Sequence, residues 1–175
     1  EKYQEYFEKA VLSSPMMEIN TGNYSENMAY LISKFFIYVG KGNNYIFGQG
    51  PFNGEYNLEE SATSNQYRYS RHLNALRANE VLQRNGGSFK WINEAIKATR
   101  KLKKEENIKK IQIPILLFQS GKDTFVNDEG HNTFRKYAKN CKFVRFDNGK
   151  HELYFENDDI LEPYLKEIVK FYNEI

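Results

Sequence analysis

The sequence predicts an α/β fold with a short parallel sheet, flanking helices and a helical insertion. The first observation is the apolar run at residues 113–118, which ends in small and polar residues and is typical of a strand buried on both faces. A second short apolar run, at residues 143–146, follows a helical pattern, and an amphipathic helix over 159–175 closes the chain. Strand, helix, strand and helix at this spacing indicate parallel βαβ units with a right-handed crossover.

Composition excludes several classes of protein. The chain has 175 residues, enough for one domain with a real core, and 40% of them are hydrophobic, which excludes disorder. A net charge of +2 gives no reason to expect a nucleic-acid partner. The single cysteine, Cys141, excludes an internal disulfide framework. Because the sequence lacks a run of apolar residues long enough to span a membrane, we expect a cytoplasmic protein.

The first fifteen residues predict the end of a helix followed by a strand. Residues 1–9 have the pattern of the last helical turns, with no capping residue before them. Residues 10–14 read as a short buried strand that Pro15 stops. A chain that opens inside a helix and proceeds at once to a core strand is expected to be truncated.

Residues 16–107 show helical patterns without another buried strand. We therefore assign 1–15 and 108–175 to the α/β core and 16–107 to a helical cap or lid. The cap is predicted to contain helices over 25–39 and 65–79 and a third helix that begins after Ser88. The apolar residues at three-and-four spacing in the first of these are expected to face inward: Met28, Leu31, Ile32, Phe35 and Phe36.

A basic cluster is predicted at the end of the third helix. Lys101, Lys103 and Lys104 suit a helix C-terminus, where cations interact favourably with the helix dipole. The alternative is attraction to an anionic lipid surface, and hence a peripheral membrane contact.

Two residues are candidates for catalysis. Asp123 follows the buried strand at 113–118, and His151 follows the strand at 143–146. In open α/β sheets, chemistry lies beyond the carboxyl ends of the strands, so these side chains are expected to meet there. A carboxylate beside a histidine fixes the imidazole tautomer and stabilises the imidazolium, as a Ser-His-Asp triad requires. The acid-before-histidine order is that of the α/β-hydrolase type of triad.

The sequence resembles α/β-hydrolases of the bacterial lysophospholipase L2 and monoacylglycerol lipase group over almost its whole length. In the C-terminal part, the resemblance rests on Ile-Pro-Ile-Leu-Leu-Phe-Gln-Ser-Gly-Lys-Asp at 113–123 and on Gly-Lys-His-Glu-Leu-Tyr-Phe-Glu at 149–156. Gly-Gln-Gly-Pro-Phe at 48–52 and Gly-Gly-Ser-Phe-Lys-Trp at 86–91 extend the resemblance into the insertion. It implies that Asp123 is the triad acid, His151 the base, and the insertion a lid over an acyl-binding pocket.

The nucleophile of that family is missing from the sequence. It lies in a Gly-x-Ser-x-Gly elbow, and the 175 residues contain no such pentapeptide. The serines that come nearest in context fit other roles, as a helix cap, strand ends or a loop residue: Ser13, Ser14, Ser88 and Ser120. We therefore expect the C-terminal part of a serine hydrolase, inactive by itself, whose serine lies outside this chain.

The resemblance implies a lipid-like ester as substrate, and we expect no cofactor. The three histidines are too dispersed, and lack Cys or Glu partners at ligand spacing, to predict a metal site. The alternative is a non-catalytic interaction or ligand-binding module that keeps the hydrolase scaffold. His72 and His131 are expected to be structural. If the chain ends at residue 1, the strand at 10–14 has an unpaired apolar edge, which predicts self-association.

Overall fold

Three parallel strands and six α-helices make up the structure, a computed structural model that describes residues 3–174. The strands are β1 (Ala10–Ser13), β2 (Ile115–Ser120) and β3 (Cys141–Phe146). They lie in the order β1-β2-β3, and both pairings are parallel, so that Leu117 lies opposite Leu12 on one side and Phe143 on the other. The predicted parallel sheet is confirmed.

The helices fill the connections between the strands and close the chain. They are α1 (Glu26–Tyr38), α2 (Gln66–Ala78), α3 (Phe89–Leu102), α4 (Glu105–Ile108), α5 (Asp128–Tyr137) and α6 (Asp158–Asn173). The first four lie between β1 and β2, α5 lies between β2 and β3, and α6 follows β3. The sequence predicted all of these except the single turn α4.

The core of the sheet is β2, whose six side chains are all buried. Its residues alternate between two hydrophobic clusters, as successive side chains of a strand must. Leu116 and Phe118 pack with Tyr164 of α6 on one face. Ile115 and Leu117 contribute to the cluster on the other face, with Phe134 of α5. Burial on both faces explains why this strand reads as a continuous apolar run.

The segment between β1 and β2 has a smaller core of its own, between α1 and α3. Ser88 caps α3 by accepting a hydrogen bond from the N–H of Trp91, as predicted. Ile92 and Ile96 are buried on the inner face of α3, and Phe89 stacks on Phe36 of α1 with ring centroids 4.1 Å apart.

Ion pairs add to the contact between the two helices. Lys103 contacts Glu18 at 2.6 Å and Glu26 at 3.2 Å, and Arg100 contacts Glu26 at 2.7 Å. These neighbours lower the pKa of Glu26 by more than its burial raises it. Lys103 therefore does not belong to a solvated basic cluster as predicted, because its charge is paired with Glu18 and Glu26 near the start of α1.

Two expectations about local structure are wrong. Residues 4–6 form a single 3₁₀ turn rather than the end of an α-helix, whereas residues 1 and 2 lie outside the described part of the chain. In α1, Met28, Leu31 and Phe35 are 50, 60 and 59% exposed instead of facing inward. Helix α3 packs against one side of α1, and Met28, Leu31 and Phe35 lie on the side that remains exposed to solvent.

Candidate active site

Asp123 and His151 come together at the carboxyl ends of two neighbouring strands. Asp123 lies in the loop after β2, and His151 lies in the loop after β3. The two loops are joined by backbone hydrogen bonds, from Gly121 N–H to the Phe146 carbonyl at 2.8 Å and from Lys122 N–H to the Gly149 carbonyl at 2.9 Å. The parallel pairing of β2 with β3 therefore continues into the site.

Gly121 is required for that approach. A Cβ atom at this position would lie 2.5 Å from the carbonyl oxygen of Asp147 and 2.6 Å from its Cα. Both obstacles are backbone atoms, which cannot rotate away as a flexible side chain can. Only glycine lets the two loops lie this close, and the acid and the base depend on that closeness.

The Asp123 carboxylate is held on both of its oxygens. Oδ2 accepts a hydrogen bond from His151 Nδ1 at 2.7 Å, and Oδ1 accepts the N–H groups of Phe125 at 2.8 Å and Val126 at 3.1 Å. Burial raises the pKa of Asp123, but the hydrogen bonds to its ionised form lower the pKa by more, so it lies below the usual range. Asp123 is therefore an anion with a fixed direction.

The His151 ring is oriented for general-base chemistry. Because Nδ1–H donates to the carboxylate, the neutral imidazole presents Nε2 as its proton acceptor. The ring of Phe125 lies against it, with centroids 5.1 Å apart. The His151 side chain is 29% exposed and that of Asp123 only 2%, so the base opens to solvent while the acid lies behind it. Among residues 3–174, the hydrogen bonding of this ring is confined to Asp123.

The serines considered as nucleophiles serve other purposes. Ser14 and Ser120 are each 1% exposed and are hydrogen-bonded to one another at 2.7 Å. Ser88 caps α3, and the Ser13 hydroxyl is buried within the described structure. None of these four contacts His151 by a hydrogen bond in the part of the chain that the structure describes.

The remaining histidines and the cysteine have structural surroundings. His131 is 1% exposed, with Nε2 at 2.7 Å from the Pro15 carbonyl oxygen, and burial lowers its pKa. His72 lies edge-on to the ring of Phe155. Burial raises the pKa of Cys141 to about 11, which keeps the thiol protonated and unreactive. Within residues 3–174, the His, Cys, Asp and Glu side chains form no group of three that could hold a metal ion.

Two clefts open near the Asp–His pair. One, of about 420 Å³, is lined by apolar and polar residues of the segment between β1 and β2 and by Thr124, the neighbour of Asp123. Its polar lining includes Asn20, Thr21, Asn23 and Gln49. Its apolar lining comprises Ala29, Ile32, Ile46, Phe47, Phe89 and Ile92. The other, of about 1110 Å³, has Phe125 in its wall, so it reaches the ring that lies against His151.

Two residues that contact the Asp123 and His151 loops were not predicted from the sequence. Phe125 packs on the His151 ring and donates its N–H to Asp123. Glu156 is completely buried, five positions after the histidine. Glu156 directly follows the apolar run Leu153-Tyr154-Phe155 and precedes three polar residues, a position that gives no sign of its burial.

The fold defines the class of this protein as an α/β-hydrolase. The chain belongs to the family described as "Serine aminopeptidase, S33", which matches residues 1–158. A curated relative, the probable lysophospholipase L2 of Haemophilus influenzae, is 30% identical over 174 residues, which are 98% of this chain and 53% of that protein. The chain thus spans about half the length of this relative.

Solved structures confirm the fold. A soluble variant of monoglyceride lipase from Saccharomyces cerevisiae, in complex with a substrate analogue, superposes with a TM-score of 0.67 at 16% identity, over 97% of this chain and 54% of its own. Monoacylglycerol lipase from Paleococcus ferrophilus gives a TM-score of 0.69 at 16% identity, over 97% and 60%. The predicted resemblance to lysophospholipase L2 and monoacylglycerol lipases is confirmed.

Across residues 3–174, every helix is too short or too polar to cross the apolar interior of a membrane.

Proposed function

We propose that this chain supplies the acid and the base of a serine carboxylic-ester hydrolase that acts on lipid-like esters. The observation that supports the proposal is the 2.7 Å contact between His151 Nδ1 and Asp123 Oδ2, formed at the ends of adjacent parallel strands. The chain order of acid and base agrees with that of α/β-hydrolase triads. The family and the relatives indicate, in general terms, a hydrolase of lipase or esterase type.

The nucleophilic serine of the proposed triad lies outside residues 1–175. The sequence has no Gly-x-Ser-x-Gly, and the chain spans 53% of the length of its curated relative. Along the chain, the nucleophile precedes the acid in this class of fold, so the elbow belongs upstream of Glu1, by roughly the 15–25 residues that one helix needs. The donors of the oxyanion hole belong to the same missing part, and these 175 residues alone are inactive.

The proposed reaction proceeds through an acyl-enzyme. His151 Nε2 takes the proton of the serine hydroxyl as the oxygen attacks the ester carbonyl, and Asp123 stabilises the imidazolium that forms. The imidazolium then gives this proton to the departing alcohol. In the second half-reaction His151 activates a water molecule, which releases the fatty acid and restores the serine.

The proposed substrate follows from the clefts and from the names of the relatives. The lining of the cleft beside Thr124 combines aromatic and aliphatic side chains, which suit an acyl chain, with polar residues. A probable lysophospholipase and two monoacylglycerol lipases are among the proteins that the chain resembles. In this proposal residues 16–107 form the lid over the acyl chain, and 1–15 with 108–175 belong to the α/β core.

Two contacts with other surfaces complete the proposal. The exposed apolar face of α1, with Leu31 and Phe35, supports a peripheral contact with lipid aggregates by a cytoplasmic protein. The outer edge of β1 has no partner strand among residues 3–174, which supports self-association when residues 1–175 are prepared alone. Light scattering over a wide concentration range tests the second point: a stable monomer throughout would contradict it.

The main experiment uses the protein that carries this chain together with the upstream elbow. His151→Ala should lower kcat on short-chain p-nitrophenyl esters and on lysophospholipid by roughly 10⁴-fold, because among residues 3–174 only the side chain of His151 is hydrogen-bonded to the Asp123 carboxylate. Circular dichroism and thermal melting should show a folded variant. His72→Ala is the matched control and should keep activity, since His72 lies against Phe155, away from Asp123. Activity that survived His151→Ala would refute the proposed base.

A non-catalytic module is the second candidate. It is favoured by one observation: among residues 3–174, His151 has no hydrogen bond to a serine. The upstream coding sequence decides between the two, because Gly-x-Ser-x-Gly in the expected place requires the enzyme and its absence requires the module.

A further inference from the structure

A buried carboxylate lies beneath the loop that holds His151. Glu156 is 0% exposed, and its two oxygens accept the N–H of Ser64 at 3.0 and 3.1 Å. Oε1 also accepts the N–H of Lys150 at 2.9 Å, and Oε2 lies 3.4 Å from the N–H of Asn157. A buried carboxylate is tolerated when backbone donors surround it in this way.

Lys150 binds the residues that precede Ser64 in the chain. Its ammonium donates to the carbonyl groups of Leu58 at 2.9 Å, Glu59 at 2.6 Å and Ser61 at 3.1 Å. We call the set of Lys150, Glu156 and residues 58–64 the clasp. One charged group of the clasp binds carbonyl oxygens and the other binds N–H groups, so an irregular stretch of the insertion has both kinds of its polar backbone groups satisfied.

His151 lies between two anchored neighbours. The N–H of Lys150 is bound by Glu156, and the N–H of Glu152 donates to the Ala62 carbonyl at 2.9 Å. Beyond them, the Thr63 hydroxyl donates to the Phe155 carbonyl at 2.7 Å. The backbone on both sides of the histidine is thus fixed to residues 62–64, which lie far from it in sequence and belong to the predicted lid.

We propose that Glu156 is a positioning residue for His151, and that it acts by fastening the histidine loop to residues 58–64 of the lid. The inference rests on the proposed function, because it takes His151 as the base. Catalytic side chains must be held within about 0.5 Å of their working geometry, and effects of roughly 10²-fold follow from misplacement by 1 Å. Without the carboxylate, the N–H groups of Ser64 and Lys150 lose their common acceptor, and the lid and the base can move independently.

A purely structural role makes a different prediction. Glu156 also precedes α6, and Arg68 contacts both its carbonyl oxygen and Asp158 in the first turn of that helix. If the carboxylate only stabilised the start of α6, its loss would lower the melting temperature and leave the Asp123–His151 contact unchanged. The state of that contact therefore separates the two roles.

The first experiment measures the contact itself by NMR, in the protein that carries this chain together with the upstream elbow. The proton in the hydrogen bond between His151 Nδ1 and Asp123 gives a downfield signal that depends on a fixed geometry. In Glu156→Gln this signal should broaden or shift, and amide exchange at Ser64 and Lys150 should accelerate at least tenfold. Glu162→Gln, an exposed glutamate on α6, is the matched control and should change neither. An unchanged His151 signal in folded Glu156→Gln would overturn the proposal.

A second variant guards against loss of the fold. Lys150→Met keeps the backbone N–H that Glu156 binds and removes only the ammonium that holds residues 58–61. Faster amide exchange in that segment, together with a smaller change in the His151 signal than in Glu156→Gln, is the expected result. Exchange that stays at the wild-type rate would show that the clasp does not hold the lid segment, and would overturn the proposal.

Turnover in the protein with the elbow distinguishes failure of this proposal from failure of the proposed function. Glu156→Gln should lower kcat by roughly 10²-fold with little change in KM, because substrate contacts are kept while the base is misplaced. Active wild-type protein with unaltered kcat in Glu156→Gln would refute the positioning role alone. Wild-type protein without esterase activity would refute the proposed function, and with it the inference.

Discussion

The strand β2 and the helix α1 are both rich in apolar residues, but they have opposite relations to solvent. Leu116, Leu117 and Phe118 are 0% exposed, whereas Leu31 and Phe35 are 60 and 59% exposed. The strand lies between β1 and β3 with helices over both faces, so each of its side chains has a partner. The helix is packed on one side, by α3 and by Phe47 of the following loop, while Leu31 and Phe35 on its other side face solvent. Apolar residues in a regular pattern therefore predict a strand or a helix, but the neighbouring elements determine how much of its apolar surface is buried.

The largest effect is expected at the centre of the sheet. Leu117→Ala should lower the free energy of unfolding by about 2–5 kcal/mol, because it leaves a cavity between β2 and α5 that its neighbours fill only in part. Chemical denaturation followed by circular dichroism measures the change. Leu31→Ala is the matched control on α1 and should stay within about 0.5 kcal/mol of wild type. Equal losses at the two leucines would break the comparison.

A smaller loss is expected where the loops after β2 and β3 touch. Gly121→Ala places a methyl group against the backbone of Asp147 and should cost about 1–3 kcal/mol through forced displacement of the loops. Gly50→Ala is the control, since a Cβ at Gly50 meets nothing within 4 Å. A thermal melt of the two variants measures the difference. Equal melting temperatures would mean that the loops are not locked together.

The pH dependence of stability tests the charge of Asp123, which accepts the hydrogen bond from His151. The folded-state pKa of Asp123 lies below its unfolded value of about 3.9. The ionised group therefore contributes stability above about pH 4, and this contribution is lost as the pH falls through the folded-state pKa. Melting temperatures of wild type and Asp123→Asn should differ most above pH 4 and converge in more acidic solution. Parallel curves would contradict the lowered pKa.

The smallest effect on stability is expected on the exposed face of α1, where a different property should change. Phe35→Ser should leave the unfolding free energy nearly unchanged and weaken the binding of the protein to phosphatidylcholine vesicles in a sedimentation assay, because it removes apolar surface that faces outward. Tyr67→Ser, at another exposed aromatic residue, on α2, serves as the control. Unchanged vesicle binding in Phe35→Ser would argue against a lipid contact through α1.

The part of the fold that could be predicted is the part that local patterns determine. The buried run of β2, the cap at Ser88 and the glycine before Asp123 each have a signal within a few residues. Asp123 and His151 could be paired in advance because adjacent parallel strands end at the same edge. For these features the physical cause lies in the sequence next to them.

The remaining features depend on contacts between distant parts of the chain. Glu156 binds Ser64, 92 positions away, and nothing near either residue announces the other. The sequence predicts that Lys103 lies in a solvated helix end, whereas in the structure it is paired with Glu18 and Glu26. The exposed apolar residues of α1 have the same helical spacing as buried ones. This spacing predicts the width of an apolar face, but it does not show whether another element packs against that face.

The contact at Gly121 has a consequence for how such a site can change over generations. With backbone against backbone, neither the acid loop nor the base loop has room to gain a residue or a side chain at that point without displacing the other. The sequences of the loops after β2 and β3 must then change together during evolution. New specificity would come more readily from the parts of residues 16–107 outside the clasp, whose length and surface can change without moving the backbone on either side of His151.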